Sequence, residues 1–201
     1  MNAPLLAGAT VPGMPLALSH RARIATLLAA TGSPLSEYAF PNLFLFRERH
    51  GYRFVDGPMP HILGTTYDGE RHVMPLTAID TASIALLEFA DCLYPVGPDG
   101  PALAARLGLS CGWNEDDSDY VYEAGRLSTL AGAKAKRAQA RAFERDETPV
   151  ILPIDAKQAP QAEAVLVGWR ADVGRPDAET DFVTCQEALA LRERISASLH
   201  A

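Results

Sequence analysis

Side chains that could bind an anionic group are concentrated in residues 116–143. Cations recur there at spacings of three, four and four residues, at Lys134, Arg137, Arg141 and Arg145. On a helix this spacing places them on one face, which suits a phosphate-bearing partner such as a tRNA acceptor stem, a nucleotide or an anionic lipid headgroup. The alternative interpretation is a solvated cationic face that stands beside, or pairs with, the acidic run of residues 115–119.

Two further features accompany these cations. A second face of the same predicted helix carries small side chains that would allow close packing against a neighbour, at Ala131, Ala135, Ala138 and Ala142. Upstream, Tyr120 and Tyr122 alternate with Val121, so on a strand both rings share one face. The two tyrosines either pack at the edge of the core or line a cleft.

A serine motif points to a different chemistry. Gly108-Leu-Ser-Cys-Gly112 matches G-x-S-x-G, the nucleophile elbow of α/β-hydrolases. That site needs a strand before the serine, a helix after it, and a later acid and histidine. Here a helix-like segment precedes Ser110, an acidic loop follows, and only His200 lies downstream. We therefore expect Ser110 to be an ordinary strand residue, and a serine hydrolase is the least favoured class.

The histidines give no metal signature. His50, His61 and His72 lie eleven residues apart on different predicted elements, so structural or surface roles are expected for them. The sequence has no dinucleotide-binding or Walker loop, and it lacks the R/Q-x-x-G-x-G/A loop of acyl-CoA-binding acetyltransferases. We predict neither a metal site nor a resident cofactor.

Composition narrows the class of protein. The net charge of −7 argues against non-specific nucleic-acid binding by the whole molecule, although a local basic patch is compatible with it. The first 14 residues lack the basic start of a signal peptide, and no run approaches the roughly 20 apolar residues of a membrane-spanning helix. Three widely spaced cysteines do not form a disulfide framework. A cytoplasmic protein is predicted.

The elements that would position these residues are helices around a meander of strands. The predicted helices run from Pro15 to about Ala30, through the aromatic segment 36–50, from Asp80 to about Leu93, over 102–107, 122–130, 134–145 and 158–171, and from Thr180 to Leu199. The predicted strands are 52–56, 61–66, 71–76, 109–113 and a buried strand at 149–154. Asp68-Gly69 is the strongest hairpin signal. This order predicts an α+β or mixed α/β fold.

Several segments together resemble one bacterial family. Residues 37–52, Glu-Tyr-Ala-Phe-Pro-Asn-Leu-Phe-Leu-Phe-Arg-Glu-Arg-His-Gly-Tyr, are similar to the early segment of the DUF2156 family, which is related to the C-terminal domain of phosphatidylglycerol lysyltransferase. The resemblance continues at Asp119-Tyr-Val-Tyr122, Leu127–Leu130, Gly132, Lys136-Arg137 through Phe143, and Asp181–Arg192. The family's Lys-Arg-Asn is replaced by Lys-Arg-Ala at residues 136–138. The similarity spans roughly residues 33–192.

The resemblance implies a fold of tandem GNAT-like acyltransferase units, each a sheet flanked by helices. Its lysyltransferase members move an aminoacyl group from charged tRNA to a lipid headgroup. The chain is expected to hold the first unit alone, because it ends where the second would begin. The implied divisions are a disordered arm over 1–14, a single GNAT-like domain over 15–175 and a linker-like helix over 176–201.

For function, the resemblance implies an aminoacyltransferase- or acyltransferase-type domain that binds an anionic donor, either charged tRNA or acyl-CoA. The candidate donor-binding side chains are Lys134, Lys136, Arg137, Arg141, Tyr120 and Tyr122. No residue is assigned as a general base. The rival interpretation is a non-catalytic binding or scaffold protein that keeps half of the fold and forms a homodimer to cover an exposed apolar patch.

Overall fold

The computed structural model describes residues 12–113, 115, 118–177 and 180–195. The chain divides into two compact units: unit 1 is Met1–Glu115 together with Leu191–Ala201, and unit 2 is Asp116–Ala190. No described helix is long and apolar enough to cross a membrane.

Unit 1 is built on a single five-stranded sheet. Its strands are β1 (Met14–Pro15), β2 (Arg53–Val55), β3 (His61–Thr65), β4 (Arg71–Pro75) and β5 (Cys92–Leu93). They lie side by side in chain order, antiparallel except for the parallel pair β4 and β5. Helices flank this sheet, so the predicted α+β class is confirmed.

The β3–β4 hairpin forms where the Asp-Gly pair predicted it. Gly69 takes φ of +85°, which a residue with a side chain rarely adopts. The loop is closed by the Thr66 N–H, which donates to the Glu70 carbonyl at 2.8 Å. Both strands are largely buried, and Ile62 and Val73 are completely inaccessible. The hairpin is therefore the centre of the unit 1 core.

The helices of unit 1 are short. They are α1 (Arg21–Thr31), α2 (Phe40–Leu45), α3 (Arg47–His50) and α4 (Gly100–Leu107). The aromatic segment was predicted to be a buried helix, and this is confirmed: Phe40, Leu43 and Phe44 are buried on α2, with Pro41 in its first turn. Proline is tolerated there because a first-turn N–H has no partner within the helix.

The segment after β4 differs from the prediction. Asp80 caps it as expected, accepting two backbone N–H groups at 2.9 and 3.2 Å. The helix is a 3₁₀ helix that ends at Glu88 rather than at about Leu93. Leu93 pairs instead with Val73 in the parallel β4–β5 ladder. A two-residue strand carries no alternation pattern, so β5 could not be predicted from the sequence.

The described helices of unit 2 follow their predicted positions. They are α5 (Ala124–Thr129), α6 (Lys134–Glu147) and α7 (Ala159–Val173), and the last helix of the chain, α8, is Phe182–Ile195. The chain turns between α5 and α6 at Gly132, whose φ is +80°. Of the predicted terminal segments, residues 1–11 and 196–201 lie outside the described residues, and Met14 is the first residue of β1.

Two strand predictions are wrong. Leu109–Trp113 is irregular. The predicted buried strand at 149–154 is also irregular, and its apolar side chains are exposed, with Ile151 at 97%. An apolar run predicts burial only if another apolar surface meets it, and the described part of unit 2 supplies none at this segment.

Candidate functional site

The cationic helix α6 is favoured by its composition. Its 14 residues are mostly Ala, Lys, Arg, Gln and Glu, which have high helix propensity. The helix ends at Thr148, which takes the left-handed conformation with φ of +45°. No side chain caps its N-terminus, and no acidic residue lies in its first turn.

The first turn of α6 is electrostatically unusual. Lys134 and Lys136 stand at the end where the helix dipole is positive, and Arg137 follows directly. Cations at this end destabilise a helix by about 0.3–1 kcal/mol each, whereas an anion bound there is stabilised by the dipole and by free N–H groups. Their placement therefore does not serve helix stability, but it does suit an anionic ligand.

Three of the predicted cations share one exposed face, which we call the basic face: Lys134, Arg137 and Arg141. In the part of the chain that the structure describes, none of the three forms an ion pair. Arg145 extends the same face, but its guanidinium pairs with Asp146 at 2.8 Å.

Lys136 is exposed but does not belong to the basic face. It lies two residues from Lys134 and one from Arg137, and residues at those spacings project in different directions from a helix. The acidic run at residues 115–119, the alternative partner of these cations, is only partly described, because Asp116 and Asp117 lie outside the described residues. Asp119 does have a partner.

The two tyrosines do not pack at the edge of the core, and the alanine face of α6 does not pack closely against a neighbour among the described residues. Tyr120 and Tyr122 are 79% and 66% exposed, in an irregular segment rather than on a strand, so the core-packing interpretation is wrong. The predicted packing of the alanine face is wrong too. Ala135 and Ala138 are exposed, and Ala142 is only partly covered.

The histidines are structural, as predicted, but two of them contact the same tyrosine ring, which the sequence did not predict. Tyr52 stacks on His50 at 5.1 Å between ring centroids and meets the edge of His72 at 5.8 Å. Gly64 makes this possible, because a Cβ there would lie 2.6 Å from the Tyr52 ring. Tyr94 continues the contacts at 5.3 Å from His72. The eleven-residue spacing did not reveal this, because strand pairing creates the proximity.

These rings are held neutral. His50 Nδ1 lies 2.7 Å from the Thr65 carbonyl oxygen, which it can contact as a donor. Burial lowers the pKa of His72 to about 4, with a further contribution from His50. Burial also lowers the pKa of His50 and His61. Among the described residues, no group of three or more His, Cys, Asp or Glu side chains could hold a metal ion.

Ser110 lies in a groove rather than at a nucleophile elbow. It is exposed in the irregular segment after α4, so its predicted strand position is wrong. The groove, of about 380 Å³, runs between β5 and α4, and Cys92 and Cys111 line it as well. The pKa of the Cys92 thiol is raised mainly by burial, and further by the carboxylates of Glu70 and Asp91. The thiol therefore stays protonated and weakly nucleophilic.

A second groove of about 460 Å³ lies on the other side of α4, where the ends of α1 and β4 approach it. Its polar side chains include Tyr38, Asp99 and Arg106. The pKa of Tyr38 is raised to about 12, mainly by burial and further by the nearby Glu37 carboxylate, so its phenol stays protonated.

No protein-family model, curated protein or solved structure matches this chain.

Proposed function

We propose that this chain is an aminoacyltransferase- or acyltransferase-type domain of the DUF2156 kind, which binds a phosphate-bearing donor through the basic face of α6. The observation that carries the proposal is a set of three exposed cations without ion-pair partners among the described residues, on a chain with a net charge of −7. Charged tRNA and acyl-CoA are the two donors of this class, and both present phosphates.

The electrostatics of α6 support an anionic ligand specifically. Lys134 and Arg137 lie at the positive end of the helix dipole, where they cost helix stability. A bound phosphate would reverse that cost, because it accepts hydrogen bonds from uncapped N–H groups and pairs with both cations. Exposed Tyr120 and Tyr122 offer rings on which a base can stack, at about 1–3 kcal/mol per base.

The fold is compatible with the proposed GNAT-like architecture at the level of a mixed sheet flanked by helices. Two of the segments that carry the family resemblance have distinct roles. The aromatic segment forms the buried helix α2 and continues into α3, whereas Lys136 and Arg137 begin the exposed helix α6. This division supports a structural role for the first segment and a binding role for the second.

Donor binding is tested by titrating labelled aminoacyl-tRNA and an acyl-CoA analogue at several salt concentrations. We expect Arg137→Ala and Arg141→Ala each to weaken binding of one donor and to reduce the salt slope by about 1, because each removes one phosphate contact. Lys136→Ala should have a smaller effect, since it projects from a different face.

Lys157→Ala is the matched control, because Lys157 is an exposed cation of unit 2 outside α6. It should leave binding unchanged. Flat titrations with both donors would contradict the proposal, as would equal losses in all variants.

A second candidate function is a non-catalytic binding or scaffold protein that forms a homodimer. It is favoured by the exposed apolar segment that follows α6, at Val150, Ile151, Leu152 and Ile154. Contiguous apolar surface of this kind marks an interaction site. If neither donor binds and the chain is dimeric, this function replaces the first.

A further inference from the structure

The groove between β5 and α4 is lined entirely by residues of unit 1. Its volume of about 380 Å³ falls within the range of about 300–1,000 Å³ that is usual for small-molecule sites. The apolar part of its wall is formed by Leu87, Leu93, Val96, Leu103, Leu107 and Leu109. Such a wall would cover the hydrocarbon part of a ligand, at roughly 25 cal/mol per Å².

Two glycines shape this groove. Gly108 ends α4 with φ of +70°, which reverses the chain so that residues 109–112 return along the helix. At the start of α4, a Cβ on Gly100 would lie 2.8 Å from Val96 Cγ2 and 3.4 Å from Cys111 Sγ. Val96, in the segment before α4, can approach the helix this closely because position 100 has no side chain, whereas Cys111 would be in ordinary contact with a Cβ there.

The charged lining of the groove is acidic, but only one charge is left uncompensated. Asp91 and Glu70 are its two carboxylates. The guanidinium of Arg71 donates to both Asp91 oxygens at 2.7 and 3.0 Å, and the Arg71 N–H also donates to that carboxylate at 3.1 Å. Asp91 is therefore neutralised by its own partner.

Glu70 has no such partner within the described residues. Its backbone is fixed at the end of the β3–β4 loop, because its N–H donates to Thr66 Oγ1 at 3.1 Å and its carbonyl accepts from the Thr66 N–H. This fixed backbone keeps Glu70 in the lining of the groove. Its field reaches the interior, since Glu70 contributes to the raised pKa of Cys92.

We propose that the groove between β5 and α4 binds an organic cation with an apolar body, whose hydrocarbon chain lies along the leucines and whose positive charge pairs with Glu70. Charge complementarity selects this ligand class: the apolar wall accepts any alkyl chain, whereas the single uncompensated carboxylate attracts a cation and repels an anion. The site is independent of the donor proposed for α6.

The test uses two probes of equal chain length, octyltrimethylammonium and octanoate, titrated into the full chain and followed by NMR of the backbone amides. The cation is expected to bind saturably, with the largest shifts at residues of β5 and α4. Octanoate is expected to bind at least about fivefold more weakly. Equal binding of both probes, or no saturable binding of the cation, would overturn the proposal.

Glu70→Gln keeps the shape of the side chain and removes its charge. Because Glu70 is exposed, we expect about a fivefold loss of cation affinity, the size of an exposed ion pair, and a smaller difference between the two probes. Glu88→Gln is the matched control, since Glu88 is also exposed in unit 1 but does not line the groove. Equal affinities for wild type and Glu70→Gln would also overturn the proposal.

Discussion

His72 is one of the buried polar residues of unit 1. It is 2% exposed on β4, and its Nδ1 is buried without a hydrogen-bond partner among the described residues. A charged imidazolium in that position would be desolvated and would face His50 across Tyr52. The ring is tolerated because it stays neutral near pH 7. Protonation of His72 at low pH should therefore destabilise the sheet around it.

We predict that His72 makes the fold acid-sensitive between pH 6.5 and about 4. The pKa of His72 is lower in the folded state than in the unfolded state. In this window the imidazole is therefore protonated in the unfolded chain and neutral in the folded chain. The free energy of unfolding should therefore fall as the pH drops through the window, by up to about 3 kcal/mol, and this contribution should level off below it.

Urea denaturation at a series of pH values measures this effect. His72→Phe retains an aromatic ring against Tyr52 and Tyr94 but cannot titrate, so its stability should depend less on pH over the same window. Subtracting the two curves removes the contribution of the carboxylates. Parallel curves for wild type and variant would contradict the prediction.

In helix α6, the residues proposed to bind the donor lower the stability of the helix itself. Its first-turn cations oppose the helix dipole, and no side chain caps its N-terminus. Lys134→Glu should therefore stabilise the protein by about 0.5–1 kcal/mol. The same change should weaken donor binding, because it places a negative charge on the basic face. Thermal denaturation and donor titration of this one variant measure both effects, and a loss of stability would contradict the argument.

The elements also differ in how far the sequence predicted them. The β3–β4 hairpin and α6 were predicted because the signal is local: an Asp-Gly turn in one case, helix-forming composition in the other. The contact of Tyr52 with His72, and the groove beside β5, depend on strand pairing and on a two-residue strand. The burial of residues 149–154 was mispredicted because burial depends on what surrounds a segment, which local sequence does not encode.

For the molecule as a whole, unit 2 has an excess of exposed apolar surface. Ile151 is almost fully exposed, and Phe182 is the one large apolar side chain of unit 2 found buried among the described residues. A unit with so little buried apolar area gains little from the hydrophobic effect by itself. Its stability should therefore depend on a partner surface, and a second copy of the chain is the partner that we propose.

We predict that the chain is dimeric and that Ile151→Asp shifts it toward the monomer. A charge at the centre of an apolar interface should cost several kcal/mol, and therefore weaken self-association by at least about a hundredfold. Sedimentation velocity over a range of concentrations measures this. Val165→Asp, at an exposed apolar position on α7 outside residues 149–154, is the control. A wild-type chain that stays monomeric at all concentrations would contradict the prediction.

The glycine beneath the aromatic contacts also offers a spectroscopic probe. A Cβ at position 64 would lie 2.6 Å from the Tyr52 ring and 3.0 Å from the His72 ring, so one Gly64 Hα points into the magnetic field of both. Its proton resonance should be displaced by ring currents whenever β3 is paired with its neighbours, and it should return to an ordinary position when the sheet opens. Unit 1 thus carries a natural label, observable without any substitution.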